Sequence, residues 1–505
     1  MSDGSKYEAV CSRDARFDGD FFFAVSTTGI YCRPSCPATT PKQKNVRFYP
    51  TAAAAQGSGF RACRRCRPDA VPGSAEWNVR ADMVGRAMRL IGDGVVDREG
   101  VAGLAQRLGY SARQVQRQLN AELGAGPVAL ARAQRSHTAR ILLQTTPLPI
   151  SEIAFAAGFA SVRQFNDTIR EIYALTPTAL RAARPGKAAR FGPVAQQAGA
   201  GGIPLRLAFR GPYAAAEVFD YLERRALTGI EEVLGERGTR TYRRTLRLPN
   251  GTGIAEVDER PGGGAPLPET GGGWLECRLH LSELRDLTTA TQRMRRLLDL
   301  DADPYAVADH LSQDPLLATL VARRRGLRSP GTCDGHELAV RAVLGQQVSV
   351  AAGRKLGNAA VAAYGEPLAQ PSGGLTHLFP ATADLAEASL TELGMPDSRR
   401  ATLRTLAAAL AHGTVPLDAG ADRDQAEKEL LNLRGIGPWT AGYIRMRALG
   451  DPDVLLEGDV AVLAGMRNSG ARMADSDAWR PWRSYAMHHF WNAAASTGKP
   501  LARTA

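Results

Sequence analysis

The chain has 505 residues, 44% of them hydrophobic, and a formal net charge of +12. This length predicts several domains, because a single hydrophobic core rarely exceeds about 250–300 residues. No apolar run reaches the roughly 18 residues of a membrane span. The N-terminal stretch MSDGSKYEAV also has no basic region followed by an apolar one. We therefore expect no membrane contact, no secretory leader and a cytoplasmic protein.

The positive charge is concentrated in the first part of the chain. Residues 1–190 contain 27 Lys and Arg against 15 Asp and Glu, whereas the remaining residues hold 36 of each kind. The first part therefore carries the whole excess of +12. A basic region beside a neutral one is typical of contact with nucleic acid. The alternative is a basic surface that only faces solvent.

Four cysteines near the N-terminus form two close pairs. Three residues separate Cys32 from Cys36, two separate Cys63 from Cys66, and 26 lie between the pairs. This spacing lets each pair bind one edge of a tetrahedral metal ion, and four thiolates favour zinc. Seven cysteines in the whole chain are too few for a disulfide framework. The pattern predicts one Zn²⁺ in a small unit over residues 1–75.

A helical pattern over residues 76–183 contains an internal repeat. The motif LAQRLGY, which begins at Leu104, recurs 49 residues later as IAFAAGF, which begins at Ile153. One inserted residue shifts the offset to 50, and the next matching positions are Val115, Leu119 and Pro127 against Phe165, Ile169 and Pro177. Each copy predicts a short helix, a tight turn at glycine and a second amphipathic helix. This is a helix-turn-helix arrangement, whose second helix enters a DNA major groove.

The two second helices carry polar residues of the kind that contact DNA. Their expected exposed faces include Arg113, Gln114 and Arg117 in the first copy, and Arg163 and Gln164 in the second. Arg and Gln side chains read base edges or hold phosphates. Two copies in register on a basic segment predict an all-α domain that binds double-stranded DNA.

These motifs carry a resemblance to known families. Residues 22–69, with the segments FFAVSTTGIYCRPSCPATT, NVRFY and GFRACRRCRPD, resemble the zinc domain of the Ada methylation-response proteins. The tandem helix-turn-helix resembles the AraC-family DNA-binding domain that follows it in Ada. The resemblance implies that Cys32 irreversibly accepts a methyl group from a DNA methyl phosphotriester. It also implies a transcriptional activator with promoter DNA and RNA polymerase as partners.

The charge of the cluster suggests how methylation could act as a signal. Zinc with four thiolates carries a net charge of −2, and conversion of one thiolate to a thioether brings it to −1. Repulsion from DNA phosphate then falls, so affinity for DNA should rise. The alternative is that Cys32 is only a structural ligand.

The pattern changes after residue 183. Ala, Gly, Gln and Pro dominate residues 184–202, which predicts a linker. Alternating runs then predict strands over 204–209, 241–248, 253–257 and 274–280, with helices over 214–227 and 282–298 and a glycine-rich loop over 261–273. From about residue 303 the pattern is helical again, with short turns.

A second motif lies in this helical part. The string LRGIGPWTAGY predicts a helix, a glycine hairpin and a second helix. Gly435 and Gly437 permit positive φ and a close backbone approach, so that exposed amides at the start of the second helix can bind DNA phosphate. Trp439 and Tyr443, four residues apart, should share one helix face. Asp459 follows Trp439 by 20 residues.

This arrangement resembles the helix-hairpin-helix DNA glycosylases, and the order of its parts is nearest to AlkA, the alkylpurine glycosylase. The resemblance covers roughly residues 203–500, including the strings RAVLGQQVS and WRPWRSYAMHHFW. It implies that Asp459 is the catalytic carboxylate, although Glu457 is a nearby competitor. It also implies a base pocket of Trp439, Tyr443 and Trp491, and DNA contacts from Gln346 and Gln347. Gln347 occupies the position where AlkA-like enzymes can use a leucine wedge.

The chemistry of base excision explains these residue types. Alkylated purines carry positive charge and leave the sugar readily, and a carboxylate stabilises the oxocarbenium-like transition state. The base must leave the DNA stack, and aromatic faces can then hold it. Relatives with lyase activity carry a hairpin lysine where this chain has Trp439. No lysine lies between Lys428 and Lys499, so we expect a monofunctional enzyme.

We therefore expect a multidomain protein. Its parts are a small α+β zinc domain (1–75), an all-α tandem helix-turn-helix domain (76–183), a linker (184–202), an α+β subdomain like the TATA-binding protein (203–302) and an all-α helix-hairpin-helix glycosylase domain (303–505). The expected function combines a methyl-accepting activator with a glycosylase for alkylated purines such as 3-methyladenine, at the nucleoid. One alternative is a regulator whose glycosylase-like part binds DNA but is catalytically weak. Another is a glycosylase whose zinc module is only an anchor.

Overall fold

The computed structural model describes residues 1–68, 82–183, 202–262 and 272–495. The boundary expected at residues 75/76, nearly all of the expected linker and the centre of the glycine-rich loop lie outside these ranges. The chain groups into two compact units. Unit 1 comprises Met1–Arg210, Leu248–Val257 and Pro261–Gln292, and unit 2 comprises Gly211–Arg247, Asp258–Arg260 and Arg293–Ala505. No helix within the described ranges is long and apolar enough to cross a membrane.

Unit 1 begins with a small α+β fold. Its strands are β1 (Phe22–Val25), β2 (Ile30–Cys32), β3 (Val46–Tyr49) and β4 (Arg61–Ala62), and its helices are α1 (Asp3–Cys11) and α2 (Ala52–Gly57). The strand order is β3-β1-β2-β4. The first three strands pair antiparallel, whereas β2 and β4 run parallel. Phenylalanines of β1 and its surroundings pack with the cysteines into one apolar cluster.

Seven helices follow over the described residues 82–183. They are α3 (Met83–Gly92), α4 (Val95–Leu108), α5 (Ala112–Leu123), α6 (Pro127–Thr145), α7 (Ile150–Ala156), α8 (Val162–Tyr173) and α9 (Pro177–Ala182). Gly100, with φ of 69°, interrupts α4, so the first repeated helix is its second half. The structure is all-α here, as the pattern predicted.

The repeat in the sequence is a repeat in the structure. Gly109 and Gly158 form the two turns with φ of 77° and 87°, values that favour glycine. The paired positions Val115, Leu119, Phe165 and Ile169 are all fully buried. The paired prolines each begin the next helix, where the missing N–H has no cost. The matched glycine, apolar and proline positions therefore have the same structural roles in both copies.

Three antiparallel strands lie in the remaining described part of unit 1. They are β5 (Ile203–Phe209), β8 (Thr252–Asp258) and β9 (Gly273–Leu281), with β9 pairing to both others. Every second residue of β5, starting from Ile203, is buried. Leu205 lies opposite the buried Cys277 of β9. This alternation is the period of two that predicted these strands. Helix α11 (Leu287–Leu297) comes after β9 in sequence.

Unit 2 is mainly helical. Its helices are α10 (Ala215–Arg225), α12 (Pro304–Leu311), α13 (Pro315–Arg323), α14 (Gly335–Leu344), α15 (Val350–Tyr364), α16 (Thr382–Glu387), α17 (Asp397–Ala411), α18 (Arg423–Leu431), α19 (Pro438–Ala448), α20 (Val460–Ser469) and α21 (Arg483–Ala495). Two apolar clusters hold it together: one joins α14, α17 and α19, and the other joins α13, α20 and α21.

Unit 2 also contains strands that the sequence analysis did not foresee. Strand β6 (Glu231–Leu234) pairs antiparallel with the expected β7 (Thr241–Arg247). Strands β10 (Glu366–Ser372) and β11 (Leu375–Leu378) form a hairpin inside the region expected to be helical. Gly373-Gly374 makes its turn, and Gly373 has φ of 62°. A Gly-Gly pair between short runs is a known hairpin signal.

Candidate functional sites

The parallel pairing of β2 and β4 brings the two cysteine pairs together. Tyr31 lies opposite Ala62, so the residues that follow them, Cys32 and Cys63, are neighbours. The Cys63 amide donates a hydrogen bond to the Tyr31 carbonyl at 3.0 Å. All four sulfur atoms lie within 4.8 Å of one another. Zinc–sulfur bonds of about 2.3 Å in a tetrahedron place sulfurs roughly 3.8 Å apart, so the cluster has the size of a zinc site.

The cluster requires a cation to hold four thiolates. Hydrogen bonds that the Cys32 thiol donates to the sulfurs of Cys36, Cys63 and Cys66 raise the pKa of Cys32 far above its usual value. A divalent cation supplies the positive charge that keeps all four ionised. Backbone amides also donate to the sulfurs, from Ala38 to Cys36, from Arg33 to Cys66 and from Cys66 to Cys63. These three bonds reduce the basicity of sulfurs other than that of Cys32.

A buried aspartate fixes the loop between Cys32 and Cys36. The Asp18 carboxylate, only 5% exposed as a residue, accepts hydrogen bonds from the Ser35 amide at 3.0 Å and the Ser35 hydroxyl at 2.5 Å. The Arg33 guanidinium lies 3.0 Å from the same carboxylate. Burial raises the pKa of Asp18, while Arg33 opposes that rise. Arg33 and Ser35 are thereby held in place beside the first cysteine.

The candidate DNA-reading residues are all exposed, but they differ in their contacts. Arg113, Arg117 and Arg163 project from the second helices of the repeats into solvent. The Gln114 side-chain oxygen accepts hydrogen bonds from the Ser111 amide and hydroxyl, which caps helix α5. The Gln164 oxygen accepts one from the Ala160 amide at 3.3 Å. The two glutamines thus support the helix starts through their oxygens.

The two hairpin glycines differ in conformation. Gly435 has φ of 90°, and a Cβ there would meet the Thr402 hydroxyl at 2.1 Å. Gly437 precedes helix α19 with φ of −96°, and a Cβ there would meet nothing within 4 Å. Gly435 thus uses the positive φ that glycine permits, whereas Gly437 caps the helix in an extended conformation. Both glycines are exposed, as a DNA contact requires.

Residues Gln346 and Gln347 lie beside the hairpin but have different settings. The Gln346 amide nitrogen donates to the Gly435 carbonyl and to the Thr440 hydroxyl, both at 3.0 Å. Gln346 therefore ties its loop to the hairpin. Gln347 is exposed at the loop tip with φ of 55°, an uncommon value for a residue other than glycine.

Two tryptophans hold the carboxylate of Asp459. The Trp439 indole donates to one carboxylate oxygen at 3.1 Å, and the Trp491 indole donates to the other at 2.9 Å. Asp459 also caps helix α20 by accepting from the Val462 amide at 2.8 Å. The competitor Glu457 is exposed to solvent. The structure thus brings together helices α19, α20 and α21 at one carboxylate.

The aromatic residues of this site form a stacked pair with polar neighbours. Trp439 and Tyr443 lie on one face of α19, as their spacing predicted, and their rings stack with centroids 5.2 Å apart and planes 5° apart. The Tyr443 hydroxyl lies 3.2 Å from that of Tyr221 and accepts a hydrogen bond from Arg447 at 3.1 Å. His488 packs edge-on against Trp491 with centroids 4.8 Å apart.

Three neighbours of this site were not predicted from the sequence: Tyr221, Arg447 and His488. Tyr221 lies on α10, which is more than 200 positions before Tyr443, so no local spacing connects them. The i, i+4 relation of Tyr443 to Arg447 and the i, i+3 relation of His488 to Trp491 were available signals.

Family profiles match three parts of the chain. The profile described as "Metal binding domain of Ada" matches residues 5–69, "Helix-turn-helix domain" matches 104–183, and "AlkA N-terminal domain" matches 204–334. The first match covers the four-cysteine cluster, which is therefore the site of one zinc ion. Together with the helix-hairpin-helix part, these domains define a multidomain DNA repair protein with a regulatory DNA-binding region.

Curated relatives identify the family. The chain is 52% identical to the probable bifunctional transcriptional activator/DNA repair enzyme AlkA of Mycobacterium tuberculosis, over 96% of this chain and 95% of that protein. It is 33% identical to DNA-3-methyladenine glycosylase 2 of Escherichia coli, over 56% of this chain and 95% of that one. Its first part is 36% identical to the E. coli activator/repair enzyme Ada, over 28% of this chain and 38% of that one. The chain belongs to the family of bifunctional transcriptional activator/DNA repair enzymes of the AlkA type.

Proposed function

We propose that the C-terminal part of the chain excises alkylated purines such as 3-methyladenine from DNA, with Asp459 as the catalytic carboxylate. The observation that carries this proposal is the pair of indole N–H groups on the two oxygens of Asp459, at 3.1 and 2.9 Å. A carboxylate held by two pocket tryptophans has a fixed position beside an aromatic site. Pre-organised charge of this kind is what stabilises an oxocarbenium-like transition state.

The aromatic residues serve to hold the extruded base. Trp439 and Tyr443 cover each other's inner faces, so a base stacks on an outer face of this pair. Stacking and cation–π attraction favour a positively charged alkylated base over a neutral one. The glycosidic bond then breaks, the bonding electrons leave with the base, and the negative charge of Asp459 compensates the positive charge that develops on the sugar. A water molecule then adds to that sugar carbon and loses a proton to solvent.

The hairpin and its neighbouring loop position the DNA. The exposed amides at the start of α19, beside Gly435 and Gly437, suit a DNA phosphate. Gln347 at its exposed loop tip suits insertion into the gap left by the extruded base. The stretch between Lys428 and Lys499 contains no lysine, so no amine is available there for a Schiff base. The product is an abasic site in an uncut strand.

The N-terminal part is proposed to accept methyl groups at Cys32. The Cys32 sulfur attacks the methyl carbon of a DNA methyl phosphotriester, a carbon–sulfur bond forms, and the carbon–oxygen bond breaks to leave a phosphodiester. Zinc, when bound, keeps the attacking sulfur ionised. The lost negative charge strengthens binding to promoter DNA through Arg113, Arg117 and the second repeat, and RNA polymerase is the partner expected there.

The proposed domains keep the boundaries derived from the sequence, at residues 75, 183, 202 and 302. The proposed location is the cytoplasm, at the nucleoid, where DNA and a reducing environment for thiolates are both present.

Replacement of Asp459 tests the glycosylase proposal. Asp459→Asn keeps the shape of the side chain and removes its charge, so release of 3-methyladenine should fall on the order of 10²-fold or more. Binding to DNA that contains an abasic-site analogue should persist, because the charge acts mainly in the transition state. Glu457→Gln is the matched control and should retain most of the rate, since Glu457 is exposed. Released bases are quantified by chromatography.

Two outcomes would contradict the proposed chemistry. Near-normal release by Asp459→Asn would require another catalytic residue. A covalent enzyme–DNA complex trapped by borohydride would reveal an amine that takes part in catalysis. Absence of release by the unmodified chain, with intact DNA binding, would instead favour a regulator whose glycosylase-like part is catalytically weak.

A further inference from the structure

An arginine of the AlkA-type part of the chain binds the turn that leads into strand β1 of the zinc domain. Arg210 directly follows β5, and its side chain is only 2% exposed. Its guanidinium donates two hydrogen bonds to the Asp18 carbonyl, from Nε at 3.1 Å and from a terminal nitrogen at 2.6 Å. The same terminal nitrogen donates to the Asp20 carboxylate at 3.1 Å. All three residues belong to unit 1.

The burial of Arg210 makes this contact specific. A guanidinium that is removed from water is stable only where hydrogen bonds and an opposite charge replace its hydration. The Asp18 carbonyl and the Asp20 carboxylate supply both. Gly19, which lies between them, has φ of 88°, a value that favours glycine. The turn therefore presents two oxygens to one arginine from outside the zinc domain.

Asp18 links this contact to the loop that carries the proposed methyl acceptor. Arg210 holds Asp18 by its backbone carbonyl, whereas the Asp18 carboxylate holds Arg33 and Ser35. These two are the first and third residues after Cys32. A short series of hydrogen bonds thus connects the end of β5 with the chain on the C-terminal side of Cys32.

A second group of contacts holds the AlkA-type part against the helix-turn-helix domain. The Thr289 hydroxyl, near the start of α11, donates to the Asp93 carbonyl at 2.8 Å and accepts from the Arg98 guanidinium at 2.8 Å. The hydroxyls of Thr138 and Thr288 lie 3.0 Å apart. These contacts do not involve the arginine after β5. Its replacement should therefore alter the acceptor loop without separating the parts of unit 1.

We propose that Arg210 is a positioning residue of the methyl-acceptor site, so that the AlkA-type part of the chain completes the setting of Cys32. This proposal rests on the proposed methyl transfer. In that reaction a carbon–sulfur bond forms while the carbon–oxygen bond breaks and its electron pair passes to the phosphate oxygen, so the three atoms must be in line. Misplacement of reacting atoms by about 1 Å can cost on the order of 10²-fold in rate. Arg210 acts on this alignment through Asp18.

Single-turnover methyl transfer by the zinc-loaded, full-length chain tests the proposal. Arg210→Met removes the hydrogen bonds and keeps much of the side-chain volume, so transfer from DNA that contains a methyl phosphotriester should slow roughly tenfold. Methyl iodide needs no alignment by bound DNA, so its reaction with Cys32 should keep its rate. Arg210→Lys, which retains the charge without the planar fork, should recover part of the loss. Mass spectrometry follows both reactions.

Hydrogen exchange measures the loop directly and requires no methyl transfer. The Ser35 amide donates to the Asp18 carboxylate at 3.0 Å. Arg210→Met should therefore speed exchange of this amide roughly tenfold, because local opening becomes easier. The Val115 amide donates to the Ser111 carbonyl within helix α5 and should keep its protection.

Arg206→Met is the matched control on the same strand. The Arg206 side chain is 40% exposed and pairs with Glu276, so this change should leave methyl transfer and Ser35 exchange as they are. If Arg210→Met does not fold, Arg210→Lys replaces it, with a smaller loss expected.

Three outcomes would count against the proposal or its premise. Normal transfer from phosphotriester DNA by a folded Arg210 variant would overturn the proposal. Equal losses of reactivity toward DNA and methyl iodide would also overturn it, because alignment would then not be the cause. Absence of transfer by the unmodified chain would refute the proposed acceptor function, and Ser35 exchange would then decide whether Arg210 holds the loop.

Discussion

The two tryptophans beside Asp459 hold its carboxylate in position, in addition to their proposed role in stacking on the base. Trp491→Phe keeps an aromatic ring and removes one N–H donor from Asp459. A hydrogen bond to a charged group contributes about 1.5–3 kcal/mol. We therefore expect single-turnover release of 3-methyladenine to fall roughly 10- to 100-fold, with folding retained.

Trp479→Phe is the matched control for this prediction. Its indole also donates to a carboxylate, that of Asp314 at 2.7 Å, and Trp479 is fully buried. This variant should lower the melting temperature while folded protein keeps its excision rate. Equal loss of excision in both variants would show that Trp491 acts through stability and not through Asp459.

The proposed methyl transfer depends on Cys32. Cys32→Ala removes the proposed acceptor, so transfer of a methyl group from phosphotriester DNA should cease, and DNA affinity should no longer rise with methylation. Mass spectrometry of the unmodified chain after reaction should locate the methyl group on Cys32. A methyl adduct on Cys36 in its place would contradict the assignment. Metal content does not decide the question, because three thiolates can still bind zinc weakly.

At the scale of elements, the helix hairpin depends on the left-handed conformation of Gly435. Gly435→Ala places a non-glycine residue at φ of 90° and a methyl group 2.1 Å from the Thr402 hydroxyl. The conformation alone costs about 1–2 kcal/mol. We expect a lower melting temperature and at least tenfold weaker binding to abasic-analogue DNA.

Gly437→Ala separates the fold of the hairpin from its contact with DNA. Its φ of −96° suits alanine, and the added methyl group would meet no protein atom within 4 Å. The melting temperature should therefore stay unchanged, while DNA affinity falls if a phosphate approaches this backbone closely. A fall in melting temperature as large as that of Gly435→Ala would contradict the roles assigned to the two glycines.

Helices and strands with strong periodicity were predictable from the sequence. Contacts between residues far apart in the chain were not. The helix-turn-helix repeat followed from matched apolar positions, such as Val115 and Phe165, that are buried alike. The hairpin of β10 and β11 was missed although Gly373-Gly374 marks its turn. Tyr221, a neighbour of the base site, was missed because only the tertiary fold brings its helix beside Tyr443. The four cysteines were predictable because their spacing alone implies a tetrahedral site.

At the scale of the whole molecule, the uneven charge assigns different binding modes to the two ends of the chain. All of the net charge of +12 resides in residues 1–190, whereas the hairpin that is proposed to hold damaged DNA presents backbone amides. Binding through Lys and Arg releases counterions and depends strongly on salt. Promoter binding should therefore weaken more steeply with salt than base excision does.

Replacement of Arg113 and Arg117 together tests this division in the full-length chain. Both arginines are exposed on helix α5. Their change to alanine should weaken binding to promoter DNA and reduce the slope of log affinity against log salt by about 2, the value for two lost phosphate contacts. Release of 3-methyladenine should stay unchanged. Arg237→Ala with Arg285→Ala is the matched control: it removes the same two charges from surface side chains that are about 60% exposed, and should preserve both activities. Parallel loss of promoter binding and excision in the Arg113 and Arg117 variant would show that one DNA-binding surface serves both functions.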